Sequence, residues 1–266
     1  MDLLPQSIGL GAATFVGLLI ALSAGHRVGR RRLARAAGAS PDAASTAGQA
    51  PIESAVFAIL GLLLAFTFSG AAGRFADRRD LVTQEANAMG TAWLRIDLLP
   101  VSAQPAIRTA LKRYVDARLA VYRTPGDDAA VAAGVRATGE AQATLWGLVV
   151  EAVATPEGQR AVTTVVPAMN EMFDLATTRT MAMEVHQPPL LYGFLLLLMF
   201  VAAFVAGISM APRARVSRLY AVVLAATLAT TIWITLDLEY PRRGVLRITS
   251  QDRAITTLRA EMDRTP

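Results

Sequence analysis

The chain has no cysteine, a single lysine (Lys112) among 26 basic residues, and two histidines in 266 positions. Without thiols there is no disulfide, no thiolate nucleophile and no Cys-ligated metal. His26 and His186 are far apart in sequence, and neither has acids at metal-ligand spacing. The glycines of SGAAGR lack the Lys-Ser/Thr that completes a phosphate loop, and no nucleophile elbow occurs. These absences predict a protein that is not an enzyme and has no cofactor.

Charge is scarce too, at 18% of residues against about 25% in an ordinary soluble domain. The deficit is concentrated in four windows. Residues 7–25, 54–73, 187–211 and 219–236 contain no Asp, Glu, Lys or Arg. Each approaches the ~20 residues that cross a ~30 Å hydrocarbon core. Four transmembrane helices are predicted, with the lipid bilayer as the first partner. The sequence pI of about 10.2 invites nucleic acid. The arginines, however, cluster beside the apolar windows, where they anchor helix ends among headgroups, and no aromatic–basic stacking pattern occurs. Nucleic acid is not an expected partner.

The polar remainder is alanine-rich and never alternates with period two, so it reads as helix as well. The second span continues past Arg74 towards Pro100, with Phe75, Val82, Met89, Trp93 and Ile96 at helical spacing. Helices follow over 103–123, around Ile107, Leu111, Tyr114, Val115, Leu119 and Tyr122, and over 128–154, around Leu145, Trp146, Val149 and Val150. Another covers 157–185, kinked or restarted at Pro167. The fold class is therefore an all-α membrane protein of four transmembrane helices, with an extended helical bundle inserted between helices 2 and 3. Residues 1–73 are the first transmembrane pair with a cytoplasmic loop at 26–53. Residues 74–186 are the helical extramembrane domain, 187–236 the second pair, and 237–266 a charged C-terminal segment.

The first window is followed by Arg27, Arg30, Arg31, Arg32 and Arg35, and a second short loop adds Arg213, Arg215 and Arg218. The single-lysine, arginine- and alanine-rich usage suggests a bacterial chain, and by the positive-inside rule both termini and residues 74–186 are expected outside the cytoplasm, across the inner membrane. An equal number flanks the opposite side: Arg74, Arg78, Arg79, Arg179, Arg242, Arg243, Arg247 and Arg253. The first helix decides between them.

Small residues recur every four positions in the spans: Ala13, Gly17, Ala21 and Gly25; Gly61, Ala65, Ser69 and Gly73; Ala203, Gly207 and Ala211; Ala221, Ala225 and Ala229. Such stripes let helix backbones approach closely in lipid, within or between subunits. No span has an ionisable residue at mid-bilayer, which argues against a proton-coupled carrier. A pore gated by an apolar constriction needs no such charge. In the second helix Leu62, Phe66 and Gly70 lie one turn apart and would form such a neck around an oligomer axis; ordinary packing uses the same residue types.

Two polar groupings stand outside the spans. Glu85 and Asn87, with Asn170, Glu171, Asp174 and Arg179, form a helical-domain cluster, read either as ion pairs across a bundle or as a site. Arg74, Arg78, Arg79, Asp237, Glu239, Arg242 and Arg243 gather where two spans end, as membrane anchors and as a charge ring at a pore mouth.

The stretches AILGLLLAFTFSGAAGRFADRR, EANAMGTAWLRIDLLP, LKRYVDARL, PAMNEMFDLATTR and LDLEYPRRGVLRI resemble the bacterial bestrophin-like membrane protein family over roughly residues 52–260. The resemblance implies distant kinship with bestrophins, pentameric anion channels with four membrane helices per subunit and a helical domain. It implies a pore lined by the second helix, with Leu62 and Phe66 at the neck. It also implies cytoplasmic termini, opposite to the charge-based orientation. The expectation is a passive channel for small inorganic ions, built as a homo-oligomer and preferring anions, because Arg74, Arg78, Arg79, Arg242 and Arg243 would ring the mouth and concentrate them. The alternative is a membrane scaffold or sensor whose helical domain binds a partner or ligand.

Overall fold

The computed structural model describes residues 3–36, 49–123, 127–212, 217–240 and 252–264. Among these every regular element is helical: α1 (Leu3–Ala36), α2 (Gln49–Arg95), α3 (Gln104–Arg123), α4 (Asp128–Ala154), α5 (Val162–Glu184), α6 (Pro189–Ser209), α7 (Arg218–Glu239) and α8 (Asp252–Arg264). Among the described residues four helices are long and apolar enough to cross a membrane. The protein is an all-α, multi-pass membrane protein.

The ends of the spans differ from the sequence expectation. α1 continues through its arginines to Ala36, and α2 begins at Gln49, so both ends of the expected loop 26–53 are helical. Arginine is a good helix former, and the single glycine between Arg27 and Gly38, Gly29, is absorbed within the helix at a cost of about 1 kcal/mol, while Pro51 sits in the first turn of α2, where its missing N–H costs nothing. α7 likewise includes Asp237 and Glu239 in its last turn.

The chain divides into two compact units. One comprises Leu3–Arg74 and His186–Tyr240, the other Phe75–Val185 with the described residues 252–264. In the first, α1 packs on α6 and α7. A Cβ added to Gly25 would lie 1.9 Å from the Phe204 carbonyl oxygen, and one on Gly207 2.1 Å from that of Leu22. The backbones of α1 and α6 therefore touch, which only glycine permits. Gly29 meets Ile208 and Ala211, and Gly11 lies against Trp233. Ala221, Ala225 and Ala229 of α7 are buried too. The α2 stripe behaves otherwise: Gly61, Ala65, Ser69 and Gly73 are all exposed.

In the second unit, Val82, Met89, Ile96, Ile107, Leu111, Tyr114, Val115, Leu145, Val149, Val165, Met169 and Met172 form the core. Tyr114 and Phe173 meet edge to face at 5.5 Å between centroids, a favoured ring geometry. Val150 is exposed at 44%, because it stands ~100° round the helix from buried Val149. Leu99 is extended before Pro100, as residues preceding proline must usually be. Asp127 caps α4 by accepting from Ala130 N–H at 2.9 Å. α5 passes through Pro167 without restarting, and a short 3-10 turn at 158–161 precedes it. Pro167 is the sixth residue of α5, past the first-turn donors, so the helix forgoes the bond that would run to the Thr163 carbonyl. The Thr164 carbonyl, in the first turn of α5, accepts from Arg95 at 2.9 Å.

The segment expected only to be charged contains α8. Its Ile255 and Met262, one heptad apart, are fully buried. Arg259 pairs with Asp116 at 2.9 Å and Asp263 at 2.6 Å, and Lys112 pairs with Asp263 at 3.0 Å. The Arg259 hydrogen bond, followed by that from Lys112, holds the Asp263 carboxyl below the usual carboxylate range. A depressed folded pKa adds stability above the unfolded value of about 3.9 that is lost as pH falls through the folded one. Thermal scans of wild type and Asp263→Asn should therefore differ at neutral pH and converge in acid well below that value.

Candidate functional site

Within its own unit, the spanning half of α2 has two sides. Leu60, Thr67 and Ala71 are buried, and the Thr67 hydroxyl donates to the Leu63 carbonyl at 2.7 Å. The opposite side carries Ile59, Leu62 and Phe66, exposed at 52%, 57% and 67%. The exposed small residues adjoin them, so this face is apolar apart from Ser69. Gly70 is turned away from it. A Cβ there would stand 3.0 Å from Gln187 Nε2 and 3.3 Å from Arg74 Nη1. Gly70 makes room for those side chains, which separates it from Leu62 and Phe66, since each four-residue step rotates a helix position by ~40°.

Arg74 folds over that glycine to reach Glu239, which is fully buried. Its Nη2 donates to Oε2 at 2.8 Å and its Nε to Oε1 at 3.2 Å, while the Gln187 backbone N–H donates to Oε1 at 3.0 Å. Glu239 ends α7, where the helix dipole is unfavourable for an anion; the guanidinium offsets both that and the loss of water. Tyr240 stacks on His186 at 4.9 Å.

Arg78, only 2% exposed, donates to the Ala182 and Val185 carbonyls at 2.9 and 2.7 Å. These are acceptors at the end of α5, where helix carbonyls lack intrahelical partners. Asp237 is buried as well, Arg79 is exposed, and Arg242 and Arg243 lie outside the described residues. Two arginines of the expected charge ring are thus engaged within the fold. Arg74 is neutralised by Glu239, and Arg78 is used up on helix-end carbonyls.

The helical-domain cluster separates into two. Glu85 is fully buried, with Oε1 2.6 Å from Arg118 Nε and Oε2 2.5 Å from Arg179 Nη1. Arg118 also donates to the Ala176 carbonyl at 3.3 Å. Arg118 was not among the expected residues, although its register was visible: Leu111, Tyr114, Val115 and Arg118 fall on one apolar stripe of α3. Asn87, Asn170, Glu171 and Asp174 are exposed and line a groove of about 720 Å³ between α2 and α5, with Gln84, Thr91 and Thr178. Glu85 and Asn87 are two residues apart, so ~200° of helix rotation sends one inward and the other to the groove.

Among the described residues the arrangement shows no paired acid and base at a cleft. It offers a continuous apolar membrane face on α2, a buried ion triad and a hydrophilic groove. The chain was compared with curated proteins and with solved structures, and none of either matches. A Bestrophin-like domain, by contrast, matches residues 16–252, taking in the α2 face, the triad and the groove. The chain belongs to the Bestrophin-like family.

Proposed function

We propose that the protein is a passive ion channel of the bacterial inner membrane, a homo-oligomer whose pore is lined by α2. The observation that carries this reading is the open face of α2. Leu62 and Phe66 stand exposed on a helix that has no ionisable residue between 54 and 73, in a chain of bestrophin kinship. Rings of leucine and phenylalanine around an axis would gate by dewetting. The charges flanking the spans do not set the ion preference: Arg74, Arg78, Arg79, Arg242 and Arg243 are nearly balanced by Asp77, Asp80, Asp237 and Glu239. Anion preference rests on kinship alone. For orientation we favour N-out and C-out, and a cytoplasmic signal from a reporter fused after Pro266 would reverse it.

Reconstituted protein is expected to pass chloride current in planar bilayers, and Phe66→Ala to raise single-channel conductance severalfold by widening the apolar constriction. Silence across a range of salts would remove the channel reading. Current with an unchanged conductance in Phe66→Ala would remove the neck. A second reading, a non-conducting sensor, is favoured by the groove, whose polar side chains Gln84, Asn87, Asn170, Glu171 and Asp174 converge with no aromatic or basic residue among its lining.

A further inference from the structure

The described part of α1 contains no acid from Leu3 to Ala36, yet Arg27, Arg30, Arg31, Arg32 and Arg35 all project from its last three turns and all are exposed. Among the described residues none of the five has an ion pair or hydrogen bond. Arginines elsewhere are engaged: Arg74 by Glu239, Arg118 and Arg179 by Glu85, Arg259 by Asp116 and Asp263. Arg27, Arg31 and Arg35 form an i, i+4 row, a spacing at which like charges on a helix repel. The helix nevertheless continues through them. It is also held in place, because Gly25 and Gly29 of the same stretch are pressed against Phe204 and Ile208 of α6 and against Ala211 just beyond it. A rigid, self-repelling row directly beyond an apolar span calls for counter-charge from beyond the described residues.

We infer that this end of α1 is a binding site for anionic phospholipid headgroups, engaged through their phosphodiesters. Position favours that source. The row starts two residues after the uncharged window 7–25, at the depth where headgroup phosphates begin, and it rises ~12 Å from Arg27 to Arg35. Residue type agrees, because guanidinium groups make forked, bidentate bonds to phosphate oxygens and ammonium groups do not. The inference stands whether or not the chain conducts.

The test is native mass spectrometry of the full chain released from vesicles of phosphatidylcholine mixed with phosphatidylglycerol. Retained phosphatidylglycerol should exceed its share of the bilayer by at least about fivefold, the effect of one arginine near an anionic surface. Replacing Arg27, Arg31 and Arg35 by glutamine should abolish the enrichment. Replacing exposed Arg113, Arg136 and Arg160 of the other unit by glutamine should leave it intact. A triple lysine variant at 27, 31 and 35 keeps the charge and the insertion signal but should retain only part of the enrichment. Equal retention of both lipids, or full enrichment in the lysine or glutamine variants, overturns the inference. So does displacement of the lipid by inorganic phosphate or by a DNA oligonucleotide at matched ionic strength, since either would assign the arginines to a soluble ligand.

Discussion

Glu85→Gln is expected to destabilise the helical unit by roughly 3–5 kcal/mol, the usual cost of leaving a buried charge uncompensated. Glu85, Arg118 and Arg179 have side-chain exposures of 0%, 3% and 0%, so no water is available to replace the carboxylate. Both guanidiniums would remain in the core with the opposing charge gone. Thermal unfolding in detergent, followed by tryptophan fluorescence, should show a midpoint lower by about 10 °C. Trp93 and Trp146 report from this unit. The mechanism predicts its own rescue. Removing all three charges together, as Glu85→Met, Arg118→Leu and Arg179→Met, should recover most of the loss, because well-packed apolar groups can replace a buried ion triad. The Ala176 carbonyl would still accept from the Thr180 hydroxyl at 2.8 Å. A triple variant no more stable than Glu85→Gln would place the cost in packing and not in charge.

Gly25→Leu should be comparably damaging to the membrane unit. Overpacking a core ordinarily costs about 1–3 kcal/mol, because neighbouring side chains yield. At Gly25 the first atom met is a backbone oxygen at 1.9 Å, followed by the Phe204 carbonyl carbon at 2.8 Å and Cα at 3.1 Å. None of these can rotate aside, so α1 and α6 must separate along the whole crossing. Gly207→Leu should do the same from the other helix. Gly61→Leu is the control: nothing lies within 4 Å of a Cβ there, and the fold should tolerate it. The comparison is read as the temperature at which each detergent-solubilised variant loses its tertiary tryptophan signal. Equal tolerance at Gly25 and Gly61 would dismiss the close α1–α6 crossing.

How much of this was visible in the sequence depends on how local each feature is. A ~30 Å hydrocarbon layer demands uninterrupted runs of uncharged residues, and such runs can be counted along the chain. The four spans, the all-helical class and the family resemblance were legible for that reason. Helix ends were less legible, because arginine and the acids of LDLE propagate a helix as readily as they leave one. α8 was hidden by its charge, although Ile255, Leu258 and Met262 carry a helical period.

Partner choice is a different matter, since it joins residues remote along the chain. Glu85 and Arg179 are 94 positions apart. Each lies on an apolar stripe, so the sequence by itself marks them as ions requiring burial and partners, but only packing of α2, α3 and α5 brings them to Arg118. Four small-residue stripes look alike as text. The tertiary structure distinguishes them, pressing those of α1 and α6 into backbone contact while leaving that of α2 open. Composition along a helix is set by the solvent it crosses, and the sequence determined that much. Which face meets which is set by interlocking surfaces of several helices at once, and that was decided only by the fold.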